Sequence, residues 1–346
     1  MIKRIYQLDF IRSIAVLCIV LCHTVENTYF LDFDSLNKLD SSISLILHAV
    51  GRLGVPFFFF ITGYLLLPRS FNDGKDIVKF YRHNLLGLLI TTEIWIVLQN
   101  IFLSIFFQTH FSYNTLIKDM LFLENVKIPS MWYMPVIIGL YIFVPFISNI
   151  LNKFGFKYIF FPVLCVYIYT SIIPSINILL ANTNHTIVRP VLWLKNLGGI
   201  YGVYIILGYL FYKNIFKNMS HKLLVFLFIV MFLCSLSITF LTDYRIWYDL
   251  APWIIASAAL FLLLLRMKFS FMRKNIWVLV SKSAFGVYLI HFPILYILRY
   301  MVLSGISNVT VKHILLYLLT IIISFLIVQI ISINNKMARC LFFYKK

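Results

Sequence analysis

The chain has 346 residues, of which 62% are hydrophobic and only 12% charged, and its formal charge is +18. That composition lies far outside the range of soluble domains and reads as an all-α, polytopic membrane protein, which leaves no room between the apolar runs for a soluble catalytic domain of the usual ~100 residues. Lys and Arg fall mostly in short loops between those runs, so the charge reports topology and argues against nucleic acid as a partner.

A short basic head, Met1 to Tyr6, precedes the first apolar run and carries no small-residue cleavage site after it, so the run is expected to be a membrane helix and not a removed signal. A bilayer crossing takes about 20 apolar residues. Ten segments meet that length, at approximately 8–28, 45–67, 83–107, 132–151, 158–180, 192–212, 222–241, 250–266, 276–298 and 312–333. Alternate loops differ in charge. One set is net basic, with Lys3 and Arg4, then Arg69, Lys75, Lys79 and Arg82 against Asp73 and Asp76, and ends with Lys336, Arg339, Lys345 and Lys346. The other is acidic or neutral, with Glu26, Asp32, Asp34 and Asp40 against Lys38, and Lys118 and Lys127 against Asp119 and Glu124. Positive-inside bias then places both termini in the cytoplasm, with about ten spans.

The first segment, LDFIRSIAVLCIVLCHT, holds Arg12 and His23 in an otherwise apolar run. At about 100° per residue the two fall on nearly one face, about 16 Å apart along the axis. Titratable groups inside a membrane helix face the protein interior by default and mark function, although Arg12 snorkelling to headgroups and His23 bonding a neighbouring helix remain open. The second segment places Gly51, Gly54 and Pro56 around Arg52, a break of the kind tolerated where backbone lines a cavity or packs closely. Arg52 is either a second buried charge or an arginine at the outer interface.

The third segment opens with Lys79 and Arg82 on one helix face, a grip for phosphate or an ordinary cytoplasmic flank. Glu93, deeper in the same segment, is expected to pair with an arginine or histidine. Trp132 and Tyr133 open the fourth segment, either as an interfacial belt or as a stacking face for a sugar. Outer loops at Asn182 to Arg189 and Thr242 to Trp253 add polar and aromatic groups, enough for a modest acceptor surface. The ninth segment, SAFGVYLIHFP, carries Tyr288 and His291. His48, His110, His185, His313, His83 and His221 sit at segment ends and receive no role. Five cysteines lack metal-ligand spacing and read as small hydrophobes, and no metal site is expected.

The chain resembles the acyltransferase-3 family of integral-membrane acyltransferases over essentially its whole length. The resemblance rests on LDFIRSIAVLCIVLCH, with Arg, ten residues and His, followed by GVPFFFFITGYLL, WYMPVIIGLYIFVPF and SAFGVYLIHFPI. It implies a single membrane acyltransferase domain, residues 1–346, in the cytoplasmic membrane of a bacterium. It also implies acetyl-CoA as acyl-donor substrate, no permanently bound cofactor, and a hydroxyl acceptor on a cell-surface or lipid-linked glycan. His23 matches the family's proposed catalytic histidine and Arg12 its paired basic residue. Lys79 and Arg82 stand where the family usually has two arginines that hold the donor, and Thr62 where a serine is common. Arg52, Glu93, Trp132, Tyr133, Tyr288 and His291 are supporting candidates. Transfer is expected to finish within the membrane domain. Transfer of another acyl group such as succinyl, or export of a glycan or lipid without acyl transfer, are the competing readings.

Overall fold

The structure, a computed structural model, describes residues 4–124, 129–181, 183, 187–188, 198–242, 244–268 and 274–343. It is 80% helical, with no strand among the described residues. Lys127, Asn182, His185 and Arg189 lie outside the described residues, as do Lys3, Lys345 and Lys346 of the charge pattern.

Helices α1 (Tyr6–Glu26), α2 (Lys38–Arg52) and α3 (Gly54–Leu66) are followed by α4 (Gly74–Phe106) and a short helix, α5 (Tyr113–Met120). Then come α6 (Tyr133–Phe154), α7 (Phe160–Ala181), α8 (Gly199–Tyr212), α9 (His221–Leu241) and α10 (Ala251–Leu265). The chain closes with α11 (Lys274–Ile297), α12 (Val309–Ser332) and α13 (Asn335–Phe342). Among the described residues, eight helical stretches are long and apolar enough to cross a membrane, with α2 and α3 forming one of them. The shorter apolar helices α8 and α10 occupy the sixth and eighth expected segments, of which the first residues of the sixth, 192–197, lie outside the described ones.

The helix starts differ from the expected ones, and for a common reason. Helix α2 begins at Lys38 and not near 45, because the Asn37 side chain accepts from the Asp40 backbone N–H; α4 begins at Gly74 and not near 83, because Asp73 accepts from Asp76. Hydropathy finds the lipid-facing length of a helix, while its capped end lies further out among polar residues. Lys38 and Asp40, taken from the sequence as loop, are helical.

Helix α1 is the hub. It packs against α2, α3, α10, α11 and α12, and 78% of its membrane-length window is buried, against 22% for α12. The break between α2 and α3 follows from Pro56, which has no N–H and whose ring crowds the carbonyl four residues back, that of Arg52. Gly51 lets this interrupted helix close on α1: a β-carbon there would stand 2.6 Å from the Cys22 backbone nitrogen. The bend therefore leaves Arg52 in the last turn of α2, where the negative end of the helix dipole favours a cation, directly against the end of α1.

Candidate active site

The last turn of α1 carries His23 and, three residues on, Glu26, a spacing that puts both on one helix face. His23 is buried, and its Nδ1 lies 2.8 Å from Glu26 Oε2. The other carboxylate oxygen, Oε1, accepts from Arg52 Nη2 at 2.9 Å and faces the Cys22 thiol at 3.6 Å. A carboxylate held by a guanidinium accepts only, so the proton of the His23 imidazole sits on Nδ1 and Nε2 keeps a bare lone pair. Glu26 thus orients His23 and fixes its tautomer, and the bare nitrogen has no protein partner among the described residues.

Arg52 ties the surroundings together. It is 7% exposed, donates through Nε to His48 Nε2 at 3.2 Å and through Nη1 to the Tyr248 hydroxyl at 3.1 Å, and lies 4.4 Å from the centre of the Trp247 ring. Burial pushes the Tyr248 phenol well above its usual range, so it stays neutral beside the guanidinium. Cys22, Glu26 and His48 present their ligand atoms within 4.8 Å of one another, and the guanidinium that bonds Glu26 and His48 supplies positive charge there. Trp132 stacks on Tyr248 at 5.4 Å and meets Trp247 and Tyr201, each at 5.6 Å, so aromatic rings surround Arg52 next to the loop at 244–250.

A cavity of about 630 Å³ lies at the other end of α1. Arg4, Arg12, Arg69 and Lys282 line it, and Ile19, Tyr133 and Tyr288 line it further along their helices. Its volume suits a small-molecule ligand, typically about 300–1,000 Å³. Asp9 pairs with Arg4 at 2.7 Å and lies 3.8 Å from Arg12, whose Nη1 donates to Ser281 at 3.1 Å. Four cations against one carboxylate leave this end suited to a polyanion. Ile19 precedes His23 by one turn, about 6 Å of helix rise, and Tyr288 precedes His291 by three residues. The cavity thus ends one turn short of the stacked His23 and His291 rings, whose centres are 5.4 Å apart.

A family model described as an acyltransferase domain matches residues 5–333. The chain belongs to the acyltransferase-3 family. No curated protein and no solved structure gave a match. Membership makes this multi-pass membrane protein an acyltransferase.

Within this acyltransferase the structure brings together His23, Arg52 and His291 near one end of α1, and Arg12, Tyr133 and Tyr288 along the cavity. Tyr133 is inside the bundle, edge-on to Tyr288 at 5.9 Å, and Thr62 lines the same cavity. Lys79 and Arg82 are exposed and are not among the cavity-lining residues, where Arg69 and Lys282 are. The ion pair expected for Glu93 is absent among the described residues: its Oε2 is buried with no hydrogen-bond partner there. Glu26, assigned from the sequence to an outer loop, is instead the last residue of α1 and the hub of the polar cluster. His48, Tyr248 and Ser281 were also missed. The i,i+3 spacing of His23 and Glu26 and the i,i+4 spacing of His48 and Arg52 were signals within reach, and Tyr248 lay in the aromatic loop Thr242 to Trp253, while Ser281 gave none.

Proposed function

We propose that the protein is an O-acetyltransferase of a bacterial cytoplasmic membrane, moving acetyl from acetyl-CoA to a sugar hydroxyl of a cell-surface or lipid-linked polysaccharide. The observation that carries this reading is the bare Nε2 of His23, held in that tautomer by the 2.8 Å contact of Nδ1 with Glu26. Acyl transfer from a thioester needs a base or nucleophile near neutral pH, and an imidazole fixed by a carboxylate is suited to either task. The cavity supports the donor half: Arg12, Arg69, Arg4 and Lys282 would hold the phosphates of coenzyme A while its thin pantetheine arm extends towards Tyr133 and Tyr288. Lys79 and Arg82, exposed at the start of α4, would draw the anionic donor to that mouth. The ring group of Trp132, Trp247 and Tyr248 supports a sugar acceptor, since apolar sugar faces pack on aromatic rings.

The test is purified protein in proteoliposomes with radiolabelled acetyl-CoA and a surface polysaccharide prepared from a strain lacking the chain. The expected result is label on polysaccharide, released by mild base as an ester, and no label with His23→Ala at equal protein abundance. Label absent with acetyl-CoA but present with succinyl-CoA would correct the donor. Movement of saccharide with no donor consumed would overturn the reading.

A further inference from the structure

His291 is wholly buried on α11, and its surroundings commit only one of its nitrogens. Nδ1 lies 2.6 Å from the Tyr288 carbonyl oxygen, which can only accept, so Nδ1 carries the proton and Nε2 the lone pair. That Nε2 has no hydrogen-bond partner among the described residues. A buried acceptor left unmade costs about 1–3 kcal/mol. Among the buried atoms left without a partner, this one belongs to an imidazole that stacks on His23 and lies three residues beyond Tyr288 at the end of the donor cavity.

The other groups around His23 are already engaged. Both oxygens of Glu26 are taken, by His23 and by Arg52, and His48 Nε2 accepts from Arg52. His313 lies further along, with Nδ1 at 3.2 Å from the Thr28 hydroxyl. Two stacked imidazole rings thus each keep a bare nitrogen, one ring oriented by a carboxylate and the other by a backbone carbonyl. One nitrogen suffices for direct transfer; two are what a two-step route requires.

We infer that transfer runs through an acyl group on His23 and that His291 is the base for its second step. This rests on the proposed reading of the chain as an acyl-CoA-dependent O-acyltransferase. In the first step His23 Nε2 adds to the thioester carbonyl, the C–S bond breaks, and coenzyme A leaves as the thiolate, giving an N-acyl imidazolium whose Nδ1 proton is shared with Glu26. His23 then has no lone pair for the acceptor. In the second step the acceptor hydroxyl gives its proton to His291 Nε2 as its oxygen attacks the acyl carbon, the C–N bond breaks, and His23 returns neutral. The His291 proton leaves to the thiolate through water, so the sum is thioester plus alcohol to thiol plus ester.

The experiment uses the full chain in detergent with radiolabelled acetyl-CoA, with and without the acceptor polysaccharide, comparing wild type with His291→Asn and His291→Gln. Asn keeps an N–H near the Tyr288 carbonyl and Gln keeps bulk, while neither offers a base. The expected result is that both variants still release coenzyme A in a single burst and retain label on protein separated rapidly from free donor in the cold at neutral pH, while the label passes to acceptor at least 100-fold more slowly than in wild type. His23→Ala should show neither burst nor protein label. A His291 residue that only packs would lower burst and transfer together, and that result overturns the inference, as does unchanged transfer in both variants. If wild type itself labels no acceptor and releases no coenzyme A, it is the underlying O-acyltransferase reading that fails.

Discussion

Glu26 serves two neighbours at once, and the two services are separable. Its Oε2 holds His23 and its Oε1 balances Arg52. Glu26→Gln should lower acyl transfer by about 100-fold or more, because the tautomer of His23 is no longer specified and the imidazolium formed in reaction loses its carboxylate. Arg52→Met should instead act first on stability, since removing one partner of a buried ion pair costs about 3–5 kcal/mol, whereas removing both is often close to neutral. The double variant Glu26→Gln with Arg52→Met should therefore recover much of the lost thermal stability and none of the activity. Thermal unfolding in detergent alongside donor turnover measures both, and a double variant no more stable than Arg52→Met would refute the pairing. At the cavity, Arg12→Ala and Arg69→Ala should each raise KM for acetyl-CoA by about 10-fold or more, as expected when a charged hydrogen bond of about 1.5–3 kcal/mol is lost, with a smaller effect on kcat. Lys79→Ala, outside the cavity, should change KM little.

At this scale the sequence was partly legible. Arg12 and His23 stand out because charge in a membrane helix is costly, and Arg52 stands out beside its glycines and proline. Glu26 does not stand out, because it sits where the apolar run ends and so resembles the first acid of a loop. It is the last residue of α1, inside the expected segment 8–28, and the helix there carries it against Arg52. Arg69 was read as one loop cation among several. What distinguishes it from Lys79 is which wall of the bundle it faces, and no local pattern encodes that.

Among the elements, the bent pair α2–α3 sets the distance between Arg52 and Glu26. Gly51 and Gly139 form a matched contrast: a β-carbon at Gly51 meets Cys22 backbone at 2.6 Å, whereas one at Gly139 meets nothing within 4 Å. In an exposed helix interior, Gly to Ala is favourable by about 1 kcal/mol. Gly139→Ala should therefore leave thermal stability unchanged or slightly raised. Gly51→Ala should lower it by about 1–3 kcal/mol, the range for forcing extra volume into a packed contact, and should lower activity as well by moving Arg52 away from α1. Equal stabilities for the two variants would show that the α1–α2 approach is slack. The break itself was readable from Gly51, Gly54 and Pro56, and so was the number of apolar segments. The extended starts of α2 and α4 were not, because a single capping side chain such as Asn37 or Asp73 adds a turn or more of helix beyond the apolar stretch.

Across the whole molecule, the cavity and the histidine pair lie towards opposite ends of α1, so the proposed reaction should be sided. Arg4 and Arg12 belong to the first part of the chain, α13 and Phe343 close the same end against α4 and the cavity, and the basic loops of the charge pattern share that end in sequence. Both termini and the donor mouth should therefore face the same compartment, the cytoplasm by positive-inside bias. Sealed proteoliposomes resolve this when the protein carries protease-cleavable tags at each end. In vesicles where both tags are cut from outside, external acetyl-CoA should support transfer to saccharide enclosed within. In vesicles where both tags are protected, external acetyl-CoA should be inert until the membrane is opened with detergent. Tags cut on opposite sides would mean an odd number of crossings. Transfer from external donor with both tags protected would place the donor mouth on the other face, away from Arg12 and Arg69.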